Sequence, residues 1–180
     1  MTTLPEFLQI HGCVLEPLEE PSLRSLDPGD GWRLVEQNEL VGHSAVWVHP
    51  GLGRDGFQPT VVVSTARIRP AVDCTTVLDR LADTAAVLGG WRLRATQRVK
   101  DDRGRWVADT LGEFRVGDHE LTASTIATVW RDDGGDSGEG VVSGDTACGS
   151  GGGATVLRQV VVTTFADQLT SHAEVLRALD

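Results

Sequence analysis

The residues able to do chemistry are few and widely spread. Three cysteines (Cys13, Cys74, Cys148) and five histidines (His11, His43, His49, His119, His172) are scattered along 180 residues. No two histidines stand at the spacing of a metal-binding pair, and neither an HExxH nor a CxxC run occurs. Cys74 lies where a helix is expected to begin, a position that lowers a thiol pKa when it is open to solvent. The plainer reading of such a residue is a small buried thiol. A Cys–His pair would have to assemble from distant positions, and no spacing selects one. Gly149 to Gly153 is glycine-rich like a phosphate cradle, but a strand follows it instead of a helix, and no Lys stands near. The residues therefore nominate no catalytic group, no metal site and no cofactor.

The one concentrated chemical feature is a basic row. Trp91 to Lys100 alternates, with Trp91, Leu93, Ala95 and Val99 on one side and Arg92, Arg94, Arg98 and Lys100 on the other. Asp109, Glu113, Asp118 and Glu120 follow on the next two segments, where acid–base work or cation binding is conceivable and cross-strand ion pairing to the arginines is simpler. An arginine row in an acidic protein is also a candidate partner surface. Trp106 and Trp130 fall at the ends of the neighbouring hairpin and join it, because Arg and Trp offer much contact area for few lost rotamers. Packing in the core or at a sheet edge is the alternative for both tryptophans. The expected partner-binding set is thus Arg92, Arg94, Arg98, Trp106 and Trp130.

Several elements must position these groups. Residues 1–30 are rich in proline and acid and form an arm, partly flexible, in which Leu4, Phe7, Leu8 and Ile10 can make a short docking turn. Residues 31–180 form one domain. Trp32 to Glu36 and Ser44 to His49 suggest two strands, and Thr60 to Ile68, with three consecutive valines, a third. A helix is expected over Thr75 to Leu88, capped by Asp73 or Thr75, with Leu78, Leu81, Ala82, Ala85 and Leu88 on one apolar face and Gly89-Gly90 as its stop. Arg105 to Val116 and Glu120 to Trp130 read as a hairpin turning at Gly117-Asp118. Thr155 to Thr164 reads as the last strand. Phe165 to Leu179 reads as a closing helix with a Thr164-x-x-Asp167 capping box and a stripe of Leu169, Ala173 and Leu176. Residues 132–153 are glycine-rich and acidic, the composition of a long flexible loop.

Composition bounds the role. A net charge of −10 argues against a nucleic-acid or anionic-membrane binder, both of which need a basic surface. No segment has the apolar length needed to cross a bilayer. An odd number of widely spaced cysteines fits reduced thiols in a cytosol. Ile10-His11-Gly12-Cys13 resembles the end of a lipoprotein signal, but Met1 to Gln9 carries Pro5 and Glu6 and no Lys or Arg. The expectation is a cytoplasmic, unlipidated protein.

Two motifs carry a family resemblance. Pro28-Gly29-Asp30-Gly31-Trp32 looks like the P-x-GW entry of the PsbP/Mog-like fold. Gly56-Phe57-Gln58-Pro59-Thr60-Val61-Val62-Val63 is similar to the GFxPNVVV strand entry of the actinobacterial LpqN/LpqT family, with Thr60 where the family has Asn. The helix, the Leu-Gly-Gly-Trp-Arg-Leu return, the hairpin and the final strand and helix follow in the family's order over roughly residues 28–180. The resemblance implies an α/β (α+β) sandwich, an antiparallel sheet with helices packed on it. Relatives that look like this fold include secretion chaperones, small-GTPase release factors and photosystem accessory proteins. It therefore implies a non-catalytic, chaperone-like accessory protein that binds a protein partner, with a link to secretion or the cell envelope. A small-molecule binder or hydrolase with a pocket between helix and sheet is the alternative, and a structural subunit of a larger complex is a third reading.

Overall fold

The structure, a computed structural model, describes residues 2–19, 26–35, 45–132, 153–168 and 175. In chain order its elements are α1 (Leu4–Ile10), β1 (Val14–Pro17), β2 (Arg33–Leu34), β3 (Ala45–Val48), β4 (Thr60–Arg69), α2 (Cys74–Ala86), β5 (Arg92–Lys100), β6 (Trp106–Val116), β7 (His119–Asp132) and β8 (Ala154–Phe165). The strands form one antiparallel sheet in the order β2-β3-β4-β8-β7-β6-β5, with β1 pairing the end of β4 that β3 leaves free.

Each expected strand has a physical cause. The valines of β4 alternate, so Val61 and Val63 bury on one face while Ile68 buries on the other. Strand β8 lies between β4 and β7, covered on both faces, and its run of apolar residues is close to continuous. The β6–β7 hairpin turns at Gly117, whose positive φ of 57° suits a two-residue connection between Val116 and His119.

The two faces have separate cores. On the first, Leu4, Phe7 and Leu8 of α1 and Val77 and Leu78 of α2 pack over Val129 and Leu157. On the second, Ala45, Trp47, Val61 and Val162 pack with Val175, which is helical and buried. The N-terminal arm thus contributes more than a docking turn. Its residues Val14–Pro17 pair with Ala66–Arg69 as β1, an extension the scattered prolines and acids concealed.

At the C-terminal end the structure corrects one boundary. Phe165 ends β8 instead of opening a helix, and Thr164 is a buried strand residue whose hydroxyl donates to the Phe165 carbonyl. Asp167 pairs instead with Arg54 at 2.8 Å. The stripe of Leu169, Ala173 and Leu176, together with His172, His43, Cys148 and the glycine-rich loop at 133–152, lies outside the described residues.

How α2 meets the sheet matters most for the site. Its N-terminus is pinned by Thr155 in the middle of the fold. The Thr155 hydroxyl accepts from the Val72 N–H at 3.0 Å and donates to the Val72 carbonyl at 2.5 Å, and both residues are buried. Asp73 then caps the helix, accepting from the Thr76 N–H at 2.9 Å. Cys74 is buried beneath the first turn. Burial pushes its thiol pKa up, and the Asp73 charge adds to the shift, so it is a packing residue and not an activated nucleophile.

The pinning hydroxyl gives a direct test. Thr155→Val keeps the shape and removes the hydroxyl that both backbone groups of Val72 bind, so urea unfolding should show a loss on the order of 1–3 kcal/mol. The cap gives a pH test. Partial burial raises the Asp73 pKa, but hydrogen bonds from Thr75 and Thr76 outweigh it and leave the carboxyl below its ordinary value. Its contribution is therefore complete above the unfolded-state pKa and is lost as pH falls through the lower, folded-state value. Asp73→Ala should be destabilised by about 0.5–2 kcal/mol at neutral pH. The gap from the parent protein should close in strongly acidic buffer, and a gap that stays constant would mean the carboxylate is not the cap.

Candidate functional site

The apolar stripe of α2 is only half buried. Val77 and Leu78, near the pinned end, are in the core, whereas Leu81 and Ala85 are half-buried and Leu88 is 43% exposed. The stripe faces a cavity of about 260 Å³ between the helix and the sheet. Its cause lies in the floor. There β6 presents Ala108 and Thr110, β7 presents Thr125 and Ala127, and β8 presents Gln159. The alanines and threonines among them are too short to reach a helix held above, so the space between stays open.

One end of the cavity is walled by Trp91 and Leu88. Trp91 lies over Gly112 of β6, and a Cβ at that position would collide with the indole. A glycine inside a long strand marks a close approach of this kind, and it is the sequence signal that points to the wall. Arg98 stands at the rim, its guanidinium donating to Asp79 of α2 at 2.5 Å. Thr84, at the back, is satisfied on both sides: it donates to the Arg80 carbonyl at 2.7 Å and accepts from the Leu4 N–H at 2.9 Å. The site is thus a mostly apolar concavity with an amide, three hydroxyls and one guanidinium around it, the makeup of a small-ligand pocket.

The five expected partner-binding residues do not share one face. Pairing between β5 and β6 slips between Leu93 and Ala95, so Arg94 is the extra residue of a bulge. Before the slip, Arg92 shares the face of Glu113, and Arg94 also reaches Glu113, at 2.5 Å. After it, Arg98 stands opposite Ala108 and points to the α2 side. Trp106 lies on that same side and packs against the first core. Trp130 alternates with the core residue Val129 and lies on the other face. The strict alternation expected over Trp91 to Lys100 fails at this one inserted residue.

Two of the four hairpin acids, Glu113 and Glu120, form the cross-strand ion pairs the simpler reading expected. Glu113 pairs with Arg92 and Arg94, and Glu120 pairs with Arg115 and Arg92. The hydrogen bond from Arg94 holds the Glu113 carboxyl below its usual range, and that from Arg115 does the same for Glu120. Asp109 stands opposite Gln97. At the far end of the sheet Phe57, His119 and Phe165 cluster, with Arg54 stacked on the Phe165 ring at 4.9 Å and paired to Asp167, so this aromatic group is already closed by its own cation. No group of three or more metal-ligating side chains occurs among the described residues, and no described helix is long and apolar enough to cross a membrane.

No protein-family model matches the sequence, and no curated protein matches it. Solved structures do. LpqN of Mycobacterium tuberculosis, described as involved in cell envelope biogenesis, superposes with a TM-score of 0.69 at 14% identity over 99% of this chain and 94% of its own. A Pseudomonas aeruginosa protein of unknown function, PA94, described as a putative regulator, matches with a TM-score of 0.44 at 11% identity over 81% of this chain and 91% of its own. The likeness to LpqN establishes the architecture: the chain has an LpqN-like α+β fold, an antiparallel sheet with helices packed on it.

Proposed function

We propose that this protein is a non-catalytic binding protein with an accessory role, and that it takes an apolar group into the cleft between α2 and the sheet. The observation that carries this is the unfinished packing of α2: Leu81, Ala85 and Leu88 face an open cavity over a floor of small side chains. Covering apolar surface stabilises by about 25 cal/mol per Å², so the exposed stripe favours an occupant of matching size. A small hydrophobic molecule or an apolar side chain of a protein partner meets that description. Arg98, at the rim, would face the polar end of either. The fold shared with LpqN is compatible with the accessory role.

The cleft is tested with 1-anilinonaphthalene-8-sulfonate, an apolar ring system carrying one anionic group. It should bind at one site, with enhanced fluorescence and perturbed amide resonances at Leu81, Ala85 and Thr125. Ala85→Trp places an indole in the cavity and should weaken the probe at least tenfold while circular dichroism is unchanged. Unchanged affinity in that variant would place the probe elsewhere and remove the cleft as the site.

The compartment is part of the proposal. We take the protein to be cytosolic and unlipidated. Lipidation at Cys13 would sever everything before it, and that segment includes Leu4, Phe7 and Leu8, three side chains of the first core. Cys13 is itself buried. Intact mass spectrometry of protein from its native source should find residues 2–12 still joined to an unmodified Cys13. A diacylated N-terminal Cys13 would overturn the assignment.

A further inference from the structure

We propose that the outer edge of β5 binds an extended acidic peptide segment, which joins the sheet as a ninth strand. This rests on the edge of the sheet and is independent of the cleft.

Strand β5 closes one side of the eight-stranded sheet, and every one of its 9 residues is exposed. Its free side is a row of backbone donors and acceptors about 30 Å long. The opposite border is different. That border is divided between β2, with only 2 residues, and β1, with 4 ending at Pro17, and neither offers a run to match the 9 residues of β5. Of the two borders, β5 is the one with room for another strand.

Its side chains say what kind of strand. The sequence RLRATQRVK has four cations, Arg92, Arg94, Arg98 and Lys100, and no acid, within a chain of net charge −10. A second copy of β5 is a poor partner. Antiparallel self-pairing about Thr96 would set Arg92 against Lys100 and Arg94 against Arg98, and like charges directly opposite are destabilising. Charge and a bulge are the usual means by which an edge refuses its own kind. The same row attracts an acidic strand, for which backbone pairing supplies affinity and charge supplies choice of partner.

Part of the charge is already countered within the chain, by Glu113 and Glu120 for Arg92, Glu113 for Arg94 and Asp79 for Arg98. The arginines of these pairs are open to solvent, Arg92 and Arg94 being 59% and 51% exposed, and ion pairs so exposed are weak and screened by salt, so their cations can exchange partners. Lys100 meets only the Trp106 ring, at 5.8 Å, and no carboxylate among the described residues.

The bulge sets the register of the guest. Pairing with β6 is unbroken from Ala95 to Lys100. Along that run Arg98 and Lys100 point to the α2 side, while Val99, 44% exposed, points to the other. A matching peptide has acids at alternate positions facing Arg98 and Lys100, and apolar residues between them to cover Val99.

The probe is a blocked peptide of alternating valine and glutamate, compared with its valine–lysine counterpart. The glutamate peptide should bind at least about tenfold more tightly in low salt, lose affinity as salt screens the charges, and slow hydrogen exchange along Ala95 to Lys100. In the doubly reversed variant Arg98→Glu/Lys100→Glu the preference should switch to the lysine peptide. Equal binding of both peptides, failure of the glutamate peptide to bind, or protection of cleft residues without protection of β5 would each overturn the proposal. So would self-association of the free protein that buries β5 in sedimentation and exchange experiments. Fluorescent-probe binding in the cleft of the parent protein without peptide reports separately on that site.

Discussion

One hydroxyl holds the helical side of this molecule in place. Thr155, in the central strand, binds both backbone groups of Val72 and so fixes where the chain leaves the sheet for α2. Buried polar groups without partners are expensive, so this contact admits little play. The helix is anchored at that end and carried by α1 along its back, where Thr84 receives the Leu4 N–H and Arg80 stacks over the Phe7 ring at 5.5 Å. Among the described residues the next backbone tie to the sheet comes only past the helix, where the Gly89 carbonyl accepts from the Arg115 N–H of β6 at 3.1 Å. The cleft is the geometric result of a helix held above strands that carry alanine and threonine.

That arrangement separates what could be read in the residues from what could not. The valines of β4, the Asp73 cap, the Gly117 turn and the run of β8 each carry a local cause, and each element stands within a few residues of expectation. The apolar stripe of α2 was equally plain. Whether it met a core or an opening depended on the side chains facing it from β6, β7 and β8, which come from positions 108 to 159 and share no local pattern. Strand β1 is not legible in the sequence because four exposed residues on an edge need little hydrophobic alternation. The basic row misled for a smaller reason. Period-two alternation holds only while each residue has one partner, and Arg94 has none in register.

The two candidate surfaces differ in kind. The cleft is concave and apolar, and discriminates by size. The β5 border is linear and charged, and discriminates by pattern. Arg98 touches both: its backbone belongs to the border, while its side chain stands at the mouth of the cavity with Asp79. An acidic strand laid along β5 would compete with Asp79 for that guanidinium and thereby alter the rim of the cleft. The geometry permits the two sites to influence each other through this one side chain.

The position of β8 has a consequence for how the chain assembles. It is the last strand in sequence and the middle strand in space, joining Thr60–Ile68 on one side to Leu121–Asp132 on the other. On the ribosome, β4 therefore emerges well before the neighbour it shares with β7, and β7 itself only shortly before it. Until β8 arrives the border of β4 that it will cover, with its run of valines, has no partner strand. Non-local pairing of this sort slows folding and leaves sticky intermediates. The vulnerable moment in the life of this protein is thus its synthesis, and the helper it would need most is one that shields an incomplete β4.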